Sequence, residues 1–138
     1  MKLLWCVLCS RIITDSATNS TSYIDCLEEI QAIKLPANIP NCSIGSLWEK
    51  SQSDSEEGLK VRVFVEHPSG KSEQLIETDN LKLSKERHRL NFTLDGFLIN
   101  EEGKYSFKLE RWFGGKWDCA AELTFRINLI KPNDQIKV

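Results

Sequence analysis

The sequence predicts an all-β protein, a β-sandwich of two antiparallel sheets with about seven to nine strands. Two observations carry this. The first is the stretch from Asn100 to Asn128, which reads as two long strands around Gly114-Gly115. Tyr105, Phe107, Leu109 and Phe113 fall on one face, and Ser106, Lys108 and Glu110 on the other. Beyond the glycines, Trp117, Cys119, Ala121, Leu123, Phe125, Ile127 and Leu129 alternate with Asp118, Glu122, Thr124, Arg126 and Asn128. A period of two is the pattern of a half-buried strand, and Gly-Gly supplies the positive φ angles of a two-residue hairpin turn. The second is Leu59–Glu66, which repeats the alternation with Val61, Val63 and Val65 inward. Such apolar faces need a second sheet to cover them.

The other elements follow in order. Residues 3–13 are an almost unbroken apolar run, predicting a central strand buried on both faces. Asp15–Ser22 is a polar loop. Tyr23–Lys34 fits two patterns: a short capped helix through Leu27, Ile30 and Ile33, or a strand face through Ile24, Cys26, Ile30 and Ala32. Pro36 and Pro40 mark an extended connection, and Cys42–Lys50 is a strand carrying Ile44 and Trp48. Ser51–Gly58 is an acidic loop, and His67-Pro68-Ser69-Gly70 a turn. Gln74–Glu77 is a short edge strand, and Leu90, Phe92 and Leu94 define another strand that Gly96 closes. Residues 1–131 form one domain, and the tail 132–138 is expected to fray.

Composition narrows the function. Hydrophobic residues at 41% and charged residues at 28% belong to a globular chain rather than a disordered one. A net charge of -2 argues against a nucleic-acid partner, whose footprint would be basic and clustered. In MKLLWCVLCSR the apolar run is cut short by Arg11 and has no small-residue cleavage site, so neither a leader nor a membrane partner is expected. The odd set of Cys6, Cys9, Cys26, Cys42 and Cys119 fits reduced thiols in a cytoplasm. The three Asn-x-Ser/Thr sites (Asn19, Asn41 and Asn91) then carry no glycan.

Glu102-Gly103-Lys104-Tyr105-Ser106-Phe107 resembles the tyrosine corner of immunoglobulin-like sandwiches, where a tyrosine hydroxyl bonds back to upstream backbone. Phe107 stands where antibody domains carry a cysteine, so their inter-sheet disulfide is not expected. Leu3–Ile127 also resembles a family of small uncharacterised bacterial proteins. The matching features are Val7-Leu8-Cys9, the Pro36/Pro40 connection, Pro68-Ser69-Gly70, Leu90–Gly96 and Gly103-Lys104-Tyr105-Ser106-Phe107. That resemblance implies an immunoglobulin-like sandwich and a strand for Tyr23–Lys34. It implies no activity.

No motif specifies chemistry. Cys6 and Cys9 have the spacing of redox and zinc motifs, but on a strand two residues three apart diverge, and no second pair completes a metal site. His67 and His88 sit in no nucleophile signature. The expectation is a non-catalytic protein-binding or self-associating module without cofactor or metal. Its candidate contact residues are Trp112, Lys108, Glu110 and Arg126 on the water-facing side of the hairpin. Trp112 is either a partner anchor or a cover for the neighbouring strand opposite Trp117 or Lys116. The alternatives are a small-ligand carrier with a cavity between the sheets and a thiol-dependent enzyme.

Overall fold

Alternation of apolar and polar side chains governs the architecture of the computed structural model, which describes residues 1–50 and 58–130. The described residues form nine strands: β1 (Lys2–Thr14), β2 (Thr21–Cys26), β3 (Glu29–Ala32), β4 (Ala37–Glu49), β5 (Val61–Glu66), β6 (Ser72–Glu77), β7 (Arg87–Ile99), β8 (Gly103–Phe113) and β9 (Lys116–Leu129). They make a four-stranded sheet in the order β2-β1-β4-β7 and a five-stranded sheet in the order β3-β9-β8-β5-β6. The all-β sandwich predicted from sequence is thus present. Pairing is antiparallel except between β3 and β9, which run parallel. Most of the predicted acidic loop and the C-terminal tail lie outside the described residues.

Val61, Val63 and Val65 are each 0% exposed; on β8 Leu109 pairs with Val63 and Phe107 with Val65, and Tyr105 is buried in the same core. From the other sheet Leu8, Ile44, Trp48 and Phe92 close the core. Trp48 is buried without an orphaned donor: its Nε1 donates to Ser46 Oγ at 3.0 Å, and that hydroxyl donates to the Leu90 carbonyl at 2.6 Å. Phe97 on β7 joins the layers, its ring centroid lying 5.6 Å from Phe107, 6.2 Å from Tyr105 and 6.5 Å from Phe125.

Gly114 (φ 59°) and Gly115 (φ 81°) make the two-residue turn between β8 and β9. The predicted corner is also present. Tyr105 Oη donates to the Glu101 carbonyl at 2.8 Å and accepts from the Glu101 N–H at 3.2 Å.

Several expectations are corrected. β1 is an interior strand, but only Leu8 and Cys9 are buried on it, and of the two only Leu8 belongs to the core between the sheets, because a two-layer sandwich covers one face of each sheet. On it Trp5 remains 38% exposed, packing edge-on against Tyr23 at 5.1 Å. Tyr23–Lys34 is extended, as the resemblance implied, but it divides into β2 and β3, which join different sheets. Gly96 does not end its strand. With φ 83° it lets β7 turn over, so that the buried residues change from Phe92 to Phe97 and Ile99 while pairing with β4 continues.

Phe113 and Leu129, expected inward, are 48% and 46% exposed. Phe113 lies beyond Arg111, where the pairing of β8 with β5 ends, and Leu129 at the last residue of β9. Cys119, also expected inward, is exposed. Its register explains why: Leu109 pairs with Ala121 but Glu110 pairs with Cys119, so Ala120 is an extra residue. This β-bulge reverses the facing of everything between it and the turn.

Candidate functional site

The outer face of the five-stranded sheet gathers a group of aromatic and charged side chains around exposed Trp112. Alternation on β5 places Arg62, Phe64 and Glu66 there, and on β8 it places Lys108, Glu110 and Trp112. The bulge at Ala120 adds Trp117, paired directly with Trp112. The two indoles meet edge to face at 5.4 Å, and Trp112 remains 46% exposed. Arg62 Cζ lies 4.3 Å from the Trp117 ring centroid and 4.8 Å from that of Phe64. Lys60 Nζ sits 5.9 Å from Trp112 and 5.7 Å from Trp117. Contacts of these kinds contribute about 0.5–1.5 kcal/mol per aromatic pair and about 0.5–1 kcal/mol per exposed cation–π contact.

Charges behind the indoles are paired across the strands. Arg62 Nε bonds Glu110 Oε1 at 2.7 Å, Lys108 Nζ bonds Glu66 Oε2 at 2.8 Å, and Ser106 Oγ donates to Glu122 at 2.9 Å. The hydrogen bond from Lys108 holds the Glu66 carboxyl below its ordinary pKa and raises that of the Lys108 ammonium. Their attraction therefore acts between the two ordinary values. It is lost as pH falls through the folded pKa of Glu66 or rises through that of Lys108. Both groups are exposed, so solvent keeps the effect small.

Of the four residues singled out from sequence, Lys108, Glu110 and Trp112 are brought together. Arg126 shares their face but stands apart: it pairs with Lys104, eight residues from Trp112 along β8, roughly 27 Å at strand spacing. Lys60, Arg62, Phe64 and Trp117 belong to the site and were missed. For Trp117 the signal was hidden by the bulge. The other three depend on pairing between β5 and β8, which no local pattern announces.

The thiols do not converge on a base. Burial pushes Cys6 up to about 12 and Cys42 up to about 11, and it also raises Cys9, while Cys26 and Cys119 are exposed. His67 is buried in the aromatic cluster, its ring 5.3 Å from Tyr105, with Nε2 3.6 Å from Glu73 Oε2. Among the described residues no group of three or more His, Cys, Asp or Glu side chains is placed to hold a metal ion. No helix among them is long and apolar enough to cross a membrane.

At the opposite end of the sandwich a cleft of about 450 Å³ opens between the sheets, where β3 and β9 face the beginning of β4 and the end of β7. Its floor is Ile99 from one sheet and Ile127 from the other, each 1% exposed.

Residues 4–117 match the model of a family of unknown function, DUF6941, and the chain belongs to that family. No curated protein matches it.

Proposed function

We propose that this member of a family without assigned activity is a non-catalytic interaction module that grips a protein partner with the outer face of its five-stranded sheet. One observation carries the proposal: Trp112 is nearly half exposed, yet Trp117 and Lys60 hold it in place. A large rigid ring loses little side-chain entropy on binding, and desolvating an indole inside a charged rim is how small interfaces concentrate their energy. Lys108, Glu110 and Arg62 form that rim. The tyrosine corner supports an immunoglobulin-like reading of the sandwich, and the odd cysteine count supports a reducing cytoplasm.

Trp112→Ala should weaken association by about 2 kcal/mol or more. The fold should lose no more than the indole pair, about 0.5–1.5 kcal/mol. Affinity capture from host extract and sedimentation, run beside thermal melts of the same protein, make the comparison. Unchanged association alongside a large fall in midpoint would show Trp112 to be packing and remove this face.

A carrier reading has one observation in its favour, the aliphatic cleft between the sheets.

A further inference from the structure

Resting on that carrier reading, we infer that the cleft takes an unbranched aliphatic chain ending in a carboxylate, with Lys34 as the headgroup contact. The lining supports the chain. Ile30, Ile33 and Ile39 form walls above Ile99 and Ile127, and among the described residues no aromatic ring lines the cleft. Branched aliphatic walls offer no flat face for stacking a ring, and they suit a flexible alkyl group. The volume of about 450 Å³ lies within the roughly 300–1,000 Å³ of ligand clefts.

Exposure supports the site independently. Ile33 is 57% exposed and Leu129 46%, and both stand at this end: Ile33 in the lining and Leu129 paired with Ala32. Apolar surface gathered around a concave opening marks a binding site rather than scattered exposure.

Charge selects the head. Among the described residues Lys34 is the one charged side chain in the lining, and it makes no ion pair with another of them. No carboxylate among the described residues lines the cleft, although the chain as a whole carries more acidic residues than Lys and Arg. An anionic head entering there meets a cation, and the described lining offers no repulsion.

The test is calorimetric titration of the full chain with hexanoate, octanoate, decanoate and decanol, each below its micelle concentration. Affinity should rise about fourfold for each added methylene until the cleft is full. Decanoate should bind about two- to fivefold more tightly than decanol, the margin of an exposed ion pair, and Lys34→Gln should erase that difference without weakening decanol. Ala37→Phe, which fills the cleft, should abolish binding of both; if that variant melts early, the chain-length series on the native protein decides alone. Equal binding of decanol and decanoate, unchanged by Lys34→Gln, would overturn the carboxylate assignment and leave the carrier reading standing. Absence of saturable binding by every probe would remove both. A ligand-free dimer in sedimentation that excludes decanoate would give the cleft to a second copy.

Discussion

At the scale of single residues, a thiol reports which way its strand faces. The thiolate is the reactive form, so a buried cysteine with a raised pKa is slow for two reasons at once. Cys26 and Cys119 should alkylate readily in the native protein, half-buried Cys6 with its raised pKa more slowly, whereas Cys9 and Cys42 should wait for denaturant. Mass spectrometry of a timed labelling series checks this, and a protected Cys119 would contradict the bulge. Strict alternation from Phe125 back to Trp117 gives the wrong side for Cys119, because one unpaired residue, Ala120, reverses the phase. Nothing in the string Asp118-Cys119-Ala120-Ala121 marks that insertion, since a bulge belongs to the pairing of two strands. Trp112 needed no such correction: its side follows from its own strand. Its partners Trp117 and Lys60 do not, and the site was half legible for that reason.

At the scale of elements, the corner between β7 and β8 depends on a glycine and a hydroxyl. Gly103 has φ 129°, and a Cβ there would lie 3.1 Å from the Pro68 ring. Gly103→Val should therefore destabilise by about 1–3 kcal/mol, and Tyr105→Phe by about 0.5–1.5 kcal/mol through the lost bond to Glu101. Denaturant midpoints for both variants equal to wild type would remove the corner as a structural device. This element was readable because its signals are local: a glycine, then a tyrosine, at the start of an alternating run. Tyr23–Lys34 was harder. Its apolar spacing fits a helix face and a strand face equally, and the structure splits it so that Ile24 pairs within one sheet while Ile30 pairs within the other. Gly96 misled in the opposite sense. A glycine that usually punctuates a strand here lets the strand roll over and continue.

At the scale of the whole molecule, the two layers meet at Phe97, which reaches from the four-stranded sheet into the rings of Phe107, Tyr105 and Phe125. Phe97→Ala should cost about 3–5 kcal/mol, since the vacated space lies between sheets that relax only in part. Against a domain stability of about 5–15 kcal/mol, that is enough to lower the thermal midpoint severely. A midpoint within a few degrees of wild type would mean that the sheets repack without this ring. The sandwich itself was legible in sequence, because burial of one face per strand leaves a period of two in nearly every segment. Strand order was not. The neighbours of β9 are β3 and β8, and no period in the sequence records the first of these.

That parallel edge has a consequence for the order in which the molecule can be made. β3 is synthesised early, yet its ladder partner within the sheet is β9, the last of the described strands, with Glu29 opposite Arg126. A ribosome adds roughly 5–20 residues per second, so Ile30 and Ala32 wait through the synthesis of β4 to β8 before their partner exists. When β9 does arrive, it must enter between β3 and β8 as an interior strand. The nascent chain therefore carries an open seam until nearly all of its strands have left the ribosome.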